Sequence, residues 1–114
     1  MYDRNSFKNF ISKTDKKIFV KLTADWCGPC QSIKEHVHNW FLEISKSENY
    51  ICMEINIDES VDLYAMLKTK RLVSGIPTIL FYNDDNESYI PDDSISGSNI
   101  DDINKFFKSC IIIE

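Results

Sequence analysis

The sequence predicts an α/β fold: one mixed central sheet flanked by helices on both faces. Three observations carry that prediction. Apolar spacing alternates along the chain between the period of a strand and the period of a helix. The segments so marked run helix, strand, helix, strand, helix, strand, strand, helix, which reads as two βαβ crossovers followed by a hairpin. The 114 residues contain no internal repeat and no linker, so 1–114 is read as a single domain around one core.

Each element has a local reason. An opening helix precedes Lys17. Lys17 to Thr23 sets Ile18, Val20 and Leu22 against Phe19, Lys21 and Thr23, the alternation of a strand. Ile33, Val37, Trp40, Phe41 and Ile44 recur at helical spacing and form one apolar stripe. Tyr50 to Ile57 is rich in apolar and β-branched residues and reads as a second strand. Ser60 to Leu67 is expected to be a short helix with Leu63, Met66 and Leu67 inward. Gly75-Ile76-Pro77 marks a turn before a third strand, Thr78 to Tyr82. Asn83 to Ser88 is polar and turn-like, so Tyr89 onward is expected to return antiparallel. Ser98 is expected to cap a last helix whose inner face is Ile103, Phe106, Phe107 and Cys110.

The net charge of −5 argues against non-specific binding to nucleic acid, and the basic runs Lys16-Lys17 and Lys68 to Arg71 are short enough to be solvated surface. No apolar run approaches the ~20 residues that span a bilayer. The first residues lack the apolar stretch of a signal peptide. The expectation is a cytoplasmic monomer with no membrane or nucleic-acid partner. In a reducing compartment structural disulfides are rare. Cys52 and Cys110 each stand alone in apolar surroundings, so both are expected in the core. His36 and His38 are not at the i, i+4 spacing of a metal pair and are expected at the surface or its boundary.

The stretch that carries chemistry is Trp26-Cys27-Gly28-Pro29-Cys30. Two thiols three positions apart can close a small disulfide ring within one helical turn. If the first stands at a helix N-terminus, the unpaired N–H groups and the helix dipole stabilise its thiolate, the attacking species in thiol–disulfide exchange. Zinc sites share the Cys-x-x-Cys spacing, but Cys27 and Cys30 are two ligands and no second pair has suitable spacing, so no metal is expected.

With Ala24-Asp25 before that motif, Ile55-Asn56-Ile57-Asp58 and Gly75-Ile76-Pro77-Thr78 after it, and Gly97 ahead of the last helix, the chain resembles the thioredoxin family. The Gly28-Pro29 pair looks like thioredoxin proper. The resemblance implies the thioredoxin fold and a dithiol–disulfide oxidoreductase that reduces protein disulfides. It makes Cys27 the attacking thiolate and Cys30 the shielded resolving thiol. It makes Pro77 a cis-proline facing the disulfide, and Ile76 the residue whose backbone pairs with an extended substrate. Trp26, Gly28 and Pro29 shape the site, with Trp26 an apolar contact beside the thiol. No cofactor is implied beyond the reversible Cys27–Cys30 disulfide. The implied partners are disulfide-containing proteins and an electron donor such as a thioredoxin reductase. A non-catalytic thioredoxin-like binding module or assembly subunit is the alternative.

The departures from the family are specific. Lys21 stands where the family has a buried aspartate, and Glu54 where it often has a lysine, so the charge pair is swapped. One reading makes Glu54 the proton acceptor for Cys30 with Lys21 as its partner; the other makes the two a surface-leaning ion pair. Glu35 replaces the proline that commonly kinks the helix, so this helix is expected to run straight. Thr23 replaces a tryptophan, which would open the wall beside the site. Asp84, Asp85, Glu87, Asp92 and Asp93 make the hairpin acidic, which reads as a solvated loop.

Overall fold

A computed structural model describes residues 1–111, so the last three positions of the expected 1–114 domain lie outside the described residues. The first strand organises the architecture. β1 (Lys17–Thr23) is buried at every position after Lys17, because it lies inside the sheet and is covered on both faces. The sheet order is β2-β1-β3-β4, with β2 Tyr50–Asn56, β3 Thr78–Tyr82 and β4 Asp93–Ser96. β1 and β2 pair in parallel through the intervening helix α2 (Gly28–Ile44). β3 pairs antiparallel with both β1 and β4. The second expected βαβ crossover is therefore corrected: the chain passes from β2 through α3 (Val61–Thr69) and comes back across the sheet in the opposite direction.

The alternation along β1 sorts the helices between two core clusters. Ile18, Val20 and Leu22 meet Phe7 and Ile11 of α1 (Arg4–Lys13) and Leu63, Met66 and Leu67 of α3. On the opposite face Phe19 meets Ile33 and Val37 of α2 and Ile103, Phe106 and Phe107 of α4 (Ile100–Cys110). The Phe19 ring lies 4.9 Å from that of Phe81 and 5.2 Å from that of Phe107, on which Trp40 stacks at 4.9 Å. One side chain ties α4 to α2: Asn104 Oδ1 accepts from Trp40 Nε1 at 2.9 Å and lies 2.7 Å from His36 Nε2. Since a carbonyl oxygen only accepts, His36 carries a proton on Nε2. His36 is thus a half-buried link between helices, while His38 is exposed.

Several boundaries differ from the sequence expectation. Asn99, not Ser98, caps α4, its Oδ1 accepting the Asp102 N–H at 3.0 Å. The return strand starts at Asp93 instead of Tyr89. The intervening loop is held by Asp92, whose Oδ2 accepts from the Asn83 N–H and the Asn86 side-chain amide. The hydroxyl of buried Tyr82 donates to the Tyr89 carbonyl at 2.7 Å and fixes the loop from beneath. Part of the acidic hairpin is therefore structural; Asp84 also reaches Lys17 at 3.4 Å. Cys110 is buried as expected, but Cys52 is only half-buried because β2 is an edge strand. α2 runs unbroken from Gly28 to Ile44. Among the described residues no helix is long and apolar enough to cross a membrane.

Among the described residues Lys21 is the one buried charged side chain, 2% exposed on the α2 face of β1. Its amine lies 3.9 Å from Glu54 Oε1, the residue paired with it in register on β2. Burial pulls the lysine below its ordinary value, Glu54 raises it and the nearby Lys34 lowers it further.

Two outcomes follow from this packing. Asn104→Ala removes the shared acceptor of two partly buried ring N–H groups and should cost about 1–2 kcal/mol in urea unfolding; an unchanged midpoint would mean that solvent already satisfies both donors. Lys21→Met should stabilise the fold at neutral pH by on the order of 1 kcal/mol, since an apolar isostere avoids desolvating a charge. The sign with pH is fixed. Between the lowered native value and 10.5 the unfolded chain binds more protons, so the lysine's penalty shrinks as pH rises through that window. The stability gap between wild type and Lys21→Met should narrow towards pH 10.5; a constant gap would mean the amine is not desolvated.

Candidate active site

The carboxyl end of β1 delivers the chain to the start of α2, where open α/β sheets carry their chemistry. Cys27 is the N-cap residue of α2, in extended conformation, and Pro29 lies within the first turn. Proline is tolerated there because its missing N–H would have had no helical partner. The Cys27 sulfur accepts the backbone N–H of Cys30 at 3.2 Å. A cysteine sulfur thus occupies the position that a serine or aspartate oxygen takes in an ordinary cap, facing the positive end of a 17-residue helix.

Cys27 and Cys30 are joined as a disulfide with their Cα atoms 5.2 Å apart. In this oxidised state Cys30 is fully buried and Cys27 is 5% exposed, so only a sliver of the leading sulfur's residue faces solvent. Cys30 is thus the shielded member of the pair, and Cys27 the one that solvent reaches. Both belong to the core cluster shared with α1 and α3.

The surroundings of the pair are assembled from three segments. Trp26 is 68% exposed, which rules out core packing for its ring. Its indole N–H donates to Asp58 Oδ2 at 2.9 Å, and Asp58 itself lies in the 3-10 turn Ile57–Glu59 after β2. Gly28 and Pro29 are exposed beside the disulfide that their neighbours form. The Ile76–Pro77 peptide bond is cis, and Pro77 is buried. Ile76 is half-buried against the cluster that contains both cysteines. Among the described residues, none hydrogen-bonds to the Ile76 backbone N–H or carbonyl. The Pro77 carbonyl accepts the N–H of Gly97, whose φ of +96° strongly favours glycine. Thr23, expected to open a wall, is itself buried.

Lys21 and Glu54 lie side by side, but unequally. The lysine is enclosed, whereas the Glu54 side chain is 49% exposed. The pair is dry at its amine end and wet at its carboxylate end.

Two positioning residues went unassigned in the sequence. Asp58 fixes the Trp26 ring; its presence in the Ile55 to Asp58 motif was the available signal. Gln31 donates its side-chain amide to the Ala24 carbonyl at 3.2 Å and ties α2 back to the loop before the cysteines. Only its place next to Cys30 marked it in advance. The remaining thiols are disfavoured as thiolates by position: burial pushes Cys52 up to about 11 and Cys110 up to about 12. Among the described residues no group of three or more His, Cys, Asp or Glu side chains gathers as a metal site requires.

Comparison with known proteins agrees with this geometry. The family profile described as Thioredoxin matches residues 1–109. Thioredoxin 3 of Plasmodium falciparum is 31% identical over 103 residues, covering 90% of this chain and 53% of that protein. Thioredoxin of Mus musculus is 34% identical over 68 residues, 60% of this chain and 58% of its own length. The chain spans about half the length of the first curated relatives it matches. Among solved structures, a Plasmodium falciparum thioredoxin superposes with a TM-score of 0.72, covering 97% of both chains at 18% identity. The oxidised mitochondrial thioredoxin 3 of Saccharomyces cerevisiae gives 0.71, covering 96% of this chain and 92% of its own at 20% identity. At those identities the structural likeness establishes the fold, and the profile match over nearly the whole chain establishes the lineage: the chain belongs to the thioredoxin family.

Proposed function

We propose that this chain is a dithiol–disulfide oxidoreductase that reduces protein disulfides. The observation that carries the proposal is the Cys27 sulfur at the N-terminus of α2, bonded to the Cys30 N–H and able to close a disulfide with Cys30. In the reduced state the Cys27 thiolate attacks one sulfur of a substrate disulfide. The substrate S–S bond breaks, a Cys27–substrate bond forms, and the other substrate sulfur leaves as a thiolate. Cys30 then loses its proton and attacks the Cys27 sulfur. The mixed disulfide breaks, the Cys27–Cys30 bond forms, and the second substrate thiolate departs. Two electrons have passed from this chain to the substrate.

Substrate binding is assigned to the surface around the pair. The unpaired Ile76 backbone groups offer strand-like hydrogen bonds to an extended segment, beside buried Pro77. The Trp26 ring, held by Asp58, supplies apolar contact, and exposed Gly28 and Pro29 keep the approach to Cys27 open. The dithiol is restored by an external electron donor, a thioredoxin reductase or its equivalent. The reading includes a single domain over 1–114 acting as a monomer in a reducing, cytoplasmic setting, which suits the two unpaired thiols Cys52 and Cys110.

Glu54 is our candidate acceptor for the Cys30 proton. It is the carboxylate held near the buried Lys21 amine, and its wet end can pass the proton to solvent.

Two measurements check these assignments. Cys30→Ser should accumulate stable mixed disulfides with substrate proteins, and Cys27→Ser should accumulate none, on non-reducing gels after acid quench. Equal trapping by both variants, or none by either, would sink the proposed division of labour. Glu54→Gln should slow the resolution step about tenfold or more in stopped-flow, while the first attack by Cys27 stays near wild type, because general-base assistance is typically worth ~10²–10⁴. An unchanged pH profile for resolution would assign the proton to water.

A further inference from the structure

The α2 face of the sheet is not closed over Lys21. Between β1, the edge strand β2 and α2 lies a pocket of about 440 Å³, a volume typical of small-molecule sites. Val37 and Phe41 of α2 form its apolar wall. Lys21 enters it from β1. This side chain is enclosed, yet its ammonium makes no hydrogen bond to any described residue, and Glu54 at 3.9 Å is beyond hydrogen-bond reach. Its donors open onto the cavity, where solvent or a bound acceptor meets them.

The charges around the pocket narrow the choice of acceptor. Lys34 and Gln31 line it from α2, and the Lys34 charge bears on Lys21 unfavourably. An anion between the two would relieve that repulsion. Glu35, Glu54 and His38 are the other titratable groups lining it. Two carboxylates already present oppose a second negative charge on a ligand. A neutral ligand would displace that solvent and leave the Lys21 amine only Glu54, 3.9 Å away. The combination favours one negative charge on an apolar body that packs against Val37 and Phe41.

We propose that this pocket is a binding site for a small aromatic monoanion, a fused-ring carboxylate in chemical class. Its carboxylate accepts from the Lys21 ammonium, and its ring lies against Val37 and Phe41. Neither Cys27 nor Cys30 lines the pocket, but Glu54, our candidate acceptor for the Cys30 proton, does, so a ligand seated here would also bear on the resolution step.

The test is a titration of the oxidised full chain, labelled with nitrogen-15, by 2-naphthoate and, separately, by its neutral isostere 2-naphthamide. The naphthoate should saturate, shift the amide signals of Gln31, Val37, Phe41 and Glu54, and bind about tenfold tighter than the amide, as expected for one charge-assisted hydrogen bond. Lys21→Met should erase that preference and leave naphthamide binding unchanged. Glu54→Gln should tighten naphthoate about threefold, because it removes the carboxylate that competes for the same amine. Should Lys21→Met fail to fold, Glu54→Gln still decides, since its effect has the opposite sign to damage. Equal affinity for the two probes, shifts confined to another surface, no saturation, or a Glu54→Gln variant that binds naphthoate no more tightly would each overturn the assignment.

Discussion

The hydrogen bond from the Cys30 backbone N–H to the Cys27 sulfur is the interaction on which the rest of the site depends. A helix begins with N–H groups that have no helical partner. Here one of them is satisfied by a sulfur atom, so the start of α2 and the location of the reactive atom are the same structural fact. That start is fixed from behind by β1, whose burial on both faces leaves its register no freedom to slip. It is fixed from the side by Gln31, which ties the first turns of α2 to the Ala24 carbonyl. Trp26 is held to the turn after β2 in the same way. A shift of the helix start by one residue would remove the sulfur from the cap and break each of these ties.

Lys21 shows what the same constraint costs. Because β1 is interior, every one of its side chains after Lys17 faces a covered surface, and the α2 side receives a lysine where the alternation calls for an apolar residue. The molecule resolves this partially. Register pairing brings Glu54 alongside, but β2 is an edge strand and leaves that carboxylate half in water. The ammonium is left in a space that α2 does not fill. A half-solvated ion pair and an unfilled volume at one place both follow from a lysine on the covered face of an interior strand.

The legible parts of the sequence were those governed by local chemistry. The strand alternation from Ile18 to Leu22, the apolar stripe of α2 and the motif around Cys27 each state their structure within a short window, and all appear in the fold. Strand direction was not legible. A βαβ spacing looks the same whether the second strand returns parallel or antiparallel, and only pairing with β1 decides it. The cap of α4 was missed by one residue because Ser98 and Asn99 are both competent caps, and the choice falls to backbone geometry after Gly97. Cys52 was misplaced for a reason of the same kind. Its sequence neighbours are apolar, but its exposure is set by β2 lying at the sheet's edge. Asp58 and Gln31 act across the site through contacts that no spacing rule announces.

The cysteines show most directly that position, not residue type, decides chemistry here. Cys27 stands at the N-terminal end of α2, where the helix offers N–H groups and positive potential to a sulfur anion. Cys110 is the last residue of α4, at the end of a helix where the potential is reversed. Burial already disfavours its thiolate, and the Asp93 carboxylate, 3.7 Å away and accepting its S–H, opposes ionisation further. Cys52 lies mid-strand, where burial alone keeps the proton on. A thiol of the same intrinsic acidity is therefore disposed to react at one helix end and silenced at the other. The separation also protects the disulfide pair from its own chain. A second reactive thiol would offer competing exchange partners, and the burial of Cys52 and Cys110 limits that competition by disfavouring their thiolates.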